Sequence, residues 1–116
     1  MNYVGIVTGG SARAYKLGYP TANIPLPDAT VSGIYAACVT LEGKTYQAVA
    51  FADPVRGILE AHLFDFSGDL YGKEIQVSLS EKLRESQEFA SEEELRAAMQ
   101  RDAEQARTIR ECRDMQ

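Results

Sequence analysis

The sequence has 116 residues, with no tryptophan, one histidine and two cysteines. His62 stands alone, and Cys38 and Cys112 lie too far apart for the short ligand spacings of zinc sites. Cys38 falls in an apolar run and reads as a small core residue. Cys112 falls in a polar tail, and both are expected as reduced thiols. No apolar stretch approaches the roughly 18 residues that a spanning helix needs. The opening MNYVGIVTGG has no basic segment followed by an apolar one. The expectation is therefore a soluble cytoplasmic protein with no membrane partner. A basic excess is missing too: 12 Lys+Arg stand against 17 Asp+Glu, for a net charge of -5. Residues 1–80 hold five bases against seven acids, and residues 81–116 hold seven against ten. Neither part offers a footprint for a phosphate backbone, so no nucleic-acid partner is expected. A small nucleotide remains compatible, because Mg²⁺ and backbone amides can hold its phosphates.

What is present is ordinary for a globular chain, at 45% hydrophobic and 25% charged residues. The length suits one domain that buries roughly two-thirds of its unfolded surface. Short β-type runs fill the first 80 residues: Tyr3 to Thr8, Ile34 to Leu41, Thr45 to Phe51, Ile58 to Phe66 and Lys73 to Ser80. Glu42-Gly43-Lys44, Ser67-Gly68-Asp69 and Asp69-Leu70-Tyr71-Gly72 supply turns, and several such strands predict a barrel or sandwich. After Ser91 the period changes. Ser91-Glu92-Glu93-Glu94 forms a capping box, with the Ser hydroxyl on the Glu94 amide and the Glu94 carboxylate reaching back to the Ser amide. Leu95, Ala98, Met99, Ala106 and Ile109 recur at helical spacing, with Asp102 breaking the stripe. One helix from about Glu92 to about Arg110 is expected to pack on a barrel of about residues 3–80, within a single domain.

Three segments invite chemistry. Pro20 stiffens Gly18-Tyr19-Pro20-Thr21-Ala22-Asn23-Ile24-Pro25 and presents Thr21 and Asn23 on one side of an extended chain. Their oxygens suit Mg²⁺ or its bound phosphates, although both residue types also satisfy turns. Gly9-Gly10-Ser11-Ala12-Arg13 is a small-residue loop after a strand that could offer amides to phosphate; without a following Gly-Lys-Ser/Thr it is no P-loop, and by itself it reads better as a flexible turn. In Glu60-Ala61-His62-Leu63-Phe64-Asp65-Phe66, Glu60 and His62 share a face, and Asp65 takes the other if alternation holds. A carboxylate in an apolar strand is costly unless paired or used, which makes Glu60 a candidate general base or a solvated strand end.

Taken in order, these segments resemble the riboflavin kinase (flavokinase) family, from Tyr3 to about Arg110. Leu17-Gly18-Tyr19-Pro20-Thr21-Ala22-Asn23-Ile24 is similar to the family's Leu-Gly-x-Pro-Thr-Ala-Asn signature. Gly33-Ile34-Tyr35 matches its strand entry, and Glu60 to Phe66 with Asp69-Leu70-Tyr71-Gly72 its Glu-x-His-Leu stretch. Leu83-Arg84, Phe89 and Asp102 also fall at family positions. The resemblance implies a mainly β fold, a six-stranded antiparallel Greek-key barrel with a C-terminal α-helix. It implies Mg²⁺-dependent transfer of the γ-phosphoryl group of ATP to the terminal ribityl hydroxyl of riboflavin, giving FMN. Thr21 and Asn23 would hold Mg²⁺ and nucleotide phosphates, under a flap from Gly9 and Gly10 to Lys16. Glu60 would be the catalytic base, and Arg84 would lie in a mobile loop near the flavin. A monomer acting on small molecules is the expectation.

The chain departs from the family at Ala14 and Tyr15, where Gly-Arg is usual, and at Asp53, where Asn is common. The loop from Pro54 to Glu60 is short. An Asp53 carboxylate accepts where an amide could donate, which bears on substrate or nucleotide preference. The nucleotidyltransferase (FAD synthetase) domain often found ahead of the kinase is not in this sequence. A flavin- or nucleotide-binding module without turnover is the alternative reading, and a barrel used only for protein contacts leaves Thr21, Asn23 and Glu60 unexplained.

Overall fold

In β3 (Gly33–Leu41), Tyr35, Ala37, Val39 and Leu41 point into one buried cluster, while Ile34, Ala36 and Cys38 occupy the opposite face. That alternation is the pleat of a strand buried on both sides. The computed structural model describes residues 1–9, 21–66, 68–109 and 112. The other described strands are β1 (Asn2–Ile6), β2 (Ala22–Pro25), β4 (Lys44–Asp53), β5 (Ile58–Leu63) and β6 (Glu74–Arg84). They pair antiparallel in the order β1-β6-β3-β4-β5-β2. Strands β3 to β5 form a meander and β6 returns beside β3, which is the Greek-key order. The sheet curls until its ends meet: the Asn23 amide donates to Gly9 O at 2.7 Å, and the Thr8 amide donates to Asn23 O at 3.0 Å.

The hairpin between β3 and β4 has the two-residue form expected of its sequence. Glu42 and Gly43 take φ of 51° and 82°, the pair of positive values that a type I′ turn requires. Gly33 is needed for another reason. Its φ is 109°, and a Cβ there would stand 2.8 Å from the Arg84 carbonyl oxygen and 2.7 Å from Lys82 Cε.

Inside the barrel, Ile24, Val39, Leu59, Ile75 and Val77 are the largest fully enclosed side chains. Removing each from water stabilises the fold by roughly 1.5–3 kcal/mol. Helix α1 (Glu92–Thr108) lies on the outer wall, where Ala106 packs with Ala36 and Phe64 beside Val49, Leu83, Ala103 and Ile109. Ser91 Oγ accepts from the Glu94 amide at 3.2 Å as expected, but Glu94 Oε2 accepts from the Ala90 amide, one residue before the cap.

Several expectations need correction. Cys112 is buried, and Cys38 and Cys112 are joined in a disulfide with Cα atoms 5.5 Å apart, not held as separate thiols. The alternate face of β3 turns Cys38 outward, to where the chain after α1 returns. Strand β5 stops at Leu63, so Asp65 is not on the opposite strand face; it sits in a turn at φ 58° and meets Arg107 Nη1 at 3.4 Å. Ala22–Pro25 is a strand that sequence periodicity did not single out. Gly10 and most of the anticipated flap, with Ala14 and Tyr15, lie outside the described residues, as does Arg110. Among the described residues no helix is long and apolar enough to cross a membrane.

Candidate active site

Leu59 and Ala61 face the barrel interior, so Glu60 and His62 between them face outward. Register carries that direction across the wall. Arg84 pairs with Ile34, Ile34 with Phe51, Phe51 with Glu60, and Glu60 with Asn23. Directly paired residues project to the same side, so five strands contribute one side chain each to a single outer rung. In the neighbouring rung of Ala36, Val49 and His62, Ala36 and Val49 pack in the cluster under the helix.

Glu60 is 7% exposed. Its Oε1 accepts from Arg56 Nη2 at 2.7 Å. Arg56 belongs to the turn between β4 and β5, and its Nε donates to Asp53 Oδ2 at 2.6 Å. Asp53 Oδ1 also accepts from the amides of Val55 and Arg56, at 3.1 and 3.2 Å, which folds the turn around the guanidinium. Desolvation pushes the Asp53 carboxyl up, but the hydrogen bonds and charge of Arg56 outweigh it and hold Asp53 below its ordinary value. The same bonds, to Asp53 first and Glu60 second, raise Arg56 above its usual value.

On the other side of Glu60, the main chain of Asn23 is fixed by β5 and by Gly9. Its side-chain Oδ1 is buried and accepts no hydrogen bond among the described residues. A buried acceptor left unpaired costs about 1–3 kcal/mol, and oxygens of this kind suit a hard cation such as Mg²⁺. The residues therefore fit the ion implied by the resemblance. Thr21 directly precedes β2 and is half-buried.

At the far end of the rung, Arg84 is the last residue of β6 and not part of a loop. Its Nε and Nη2 donate to Asp102 Oδ1 and Oδ2 at 2.9 and 2.8 Å, and its Nη1 donates to Glu85 O at 3.0 Å. The Phe89 ring centroid lies 5.6 Å from the guanidinium carbon. Asp102, which interrupts the apolar stripe of α1, is thus a buried half of an ion pair. Of the residues singled out in the sequence, Asn23 and Glu60 are directly paired across β2 and β5, whereas Arg56 and Phe51 carried no signal in the sequence. Arg56 lies four residues before Glu60, a spacing without meaning until a turn bends it back.

A family model described as riboflavin kinase (Flavokinase) matches residues 1–110. The chain belongs to the riboflavin kinase family. A bifunctional riboflavin kinase/FMN adenylyltransferase of Pseudomonas fluorescens is 39% identical over 114 residues, covering 90% of this chain and 37% of that protein. The chain thus spans well under half the length of that curated riboflavin kinase relative. Among solved structures, a Streptococcus pneumoniae chain described as a macrolide-efflux protein superposes with a TM-score of 0.81 at 30% identity, covering 94% of this chain and 39% of that one. Riboflavin kinase from Trypanosoma brucei superposes with a TM-score of 0.64 at 22% identity, covering 91% of this chain and 76% of that one. This last likeness is one of fold, and it matches the barrel and its helix.

Proposed function

We propose that this protein transfers the γ-phosphoryl group of ATP to the terminal ribityl hydroxyl of riboflavin, giving FMN. The observation that carries the reading is the rung itself: a buried carboxylate, Glu60, stands opposite a buried Asn23 oxygen that has no partner among the described residues. A phosphoryl transfer needs a proton acceptor beside the hydroxyl and charge neutralisation beside the phosphates, held in line. Glu60 is the acceptor, taking the hydroxyl proton as the new oxygen–phosphorus bond forms. Thr21 and Asn23 would hold Mg²⁺, which when bound offsets the charge of the nucleotide phosphates. Gly9, already bonded to Asn23 through its carbonyl, and Gly10 would contact the nucleotide. Arg84, anchored by Asp102, presents a planar cation for the flavin at the opposite end of the rung.

The chain is read as one kinase-like unit that works as a monomer. ATP as co-substrate favours a cytoplasmic setting, and alkylating thiols at lysis tests whether the Cys38–Cys112 bridge is kept there. Incubation with riboflavin, ATP and Mg²⁺, followed by chromatographic separation of the flavins, tests the activity. FMN formed over many turnovers is the expected result. Flavin retained without product, or no interaction at all, would overturn the reading.

A further inference from the structure

Arg56 is the one charged partner of the buried Glu60 carboxylate among the described residues. An ionised carboxylate at that depth is costly without a cation and hydrogen bonds. The bond is one-sided. Oε1 receives Arg56 Nη2, whereas Oε2 has no hydrogen bond among the described residues. The guanidinium is itself tethered through Nε to Asp53, whose second oxygen is committed to the turn amides. Planar geometry then transmits position: with one edge fixed on Asp53, the adjacent Nη2 can meet Glu60 from only one direction.

We infer that Arg56 is a positioning residue for the phosphoryl transfer, held by Asp53 so that it fixes the Glu60 carboxylate in one orientation and leaves Oε2 to receive the substrate proton. This rests on the reading of Glu60 as the base. It adds a three-residue relay, Asp53 to Arg56 to Glu60, running from the last residue of β4 through the short turn into β5. Asp53 thereby gains a specific role. An amide at position 53 could not accept from Arg56 and from the turn amides as a charged group does. Because Arg56 has half its side-chain surface exposed, it can be removed without opening the barrel core.

The test is a double-mutant cycle on the purified protein, read as kcat and KM for riboflavin and for ATP. Glu60→Gln alone should lower kcat by about 10²–10⁴-fold, the range for removing a general base. Arg56→Met alone should lower kcat by about 10–100-fold with both KM values nearly unchanged, as for other residues that orient a reacting group. In the Glu60→Gln background the same Arg56→Met change should have little further effect, because both act through one carboxylate. Arg56→Lys should retain only part of the rate, and added guanidinium ion should restore part of it to Arg56→Ala. If Glu60→Gln keeps the parental rate, the base assignment itself fails. If Glu60→Gln is impaired but Arg56→Met keeps the parental kcat, raises KM alone, or lowers kcat equally in both backgrounds, the positioning role is overturned and the base assignment stands. Thermal melts of each variant show whether the comparison is between folded proteins, and Arg56→Lys supplies the reading if Arg56→Met does not fold.

Discussion

Arg84 and Asp102 meet edge to edge, two nitrogens on two oxygens at 2.9 and 2.8 Å, tying the end of β6 to the middle of α1. Asp102 is 5% exposed, so its charge has little recourse to water. Asp102→Ala should lower the unfolding free energy by about 3 kcal/mol, the low end for breaking a buried pair because Arg84 is partly solvated. Urea denaturation measures this. A change below about 0.5 kcal/mol would mean that the pair behaves as a surface salt bridge.

Asn23→Ala separates chemistry from folding. It removes a buried oxygen that has no hydrogen bond among the described residues, so stability should hold or rise slightly. The Mg²⁺ concentration for half-maximal rate should rise by at least about 10–100-fold. Thr21→Ala should move the same quantity in the same direction. Titrating Mg²⁺ at saturating ATP checks both; unchanged midpoints would remove these residues from the metal site.

The disulfide makes a prediction about the tail. Cys38 and Cys112 are 74 residues apart in sequence, and closing a loop of that size restricts the unfolded chain by about 4 kcal/mol in the chain-entropy model. Cys112→Ser, or full reduction, should lower stability by up to about that amount. Denaturation with and without reductant reads the difference, and coincident curves would mean that the cysteines are not bridged in solution.

Acid should weaken the Asp53–Arg56 contact. The Asp53 carboxyl lies below its ordinary value in the folded protein because Arg56 outweighs its desolvation. A lowered carboxyl contributes stability above its unfolded value near 4 and loses it as pH falls through the lower folded value. Asp53→Asn should therefore be less stable than the parent at pH 7, and the gap should close toward pH 3. A gap that is constant with pH would show that Asp53 contributes nothing through its charge.

Local pattern carried the strands and helix well. The alternation of Ile75, Val77 and Leu79, the Glu42-Gly43 turn and the Ser91 cap all depend on neighbours within a few residues, where sequence periodicity is informative. Pairings across long separations were less accessible. Ala22–Pro25 is short and contains proline, and its identity as a strand depends on β5. The bond between Cys38 and Cys112 follows from the path of the chain beyond α1, which no spacing rule specifies. Asp102 looked like a flaw in an amphipathic stripe because its partner, Arg84, lies on another element. Glu60 was legible as an anomaly, and the turn that places Arg56 on it was not.

The division of β5 between its two faces has a consequence for engineering. Leu59, Ala61 and Leu63 line the interior, while Glu60 and His62 look outward. A library that varies only the odd-numbered positions of this strand repacks the barrel and leaves the proposed chemistry in place. One that varies only the even-numbered positions changes the proposed site on an unchanged scaffold. A deletion of one residue respects neither set: it exchanges the two faces from that point to the next turn, turning a carboxylate into the core and a leucine outward.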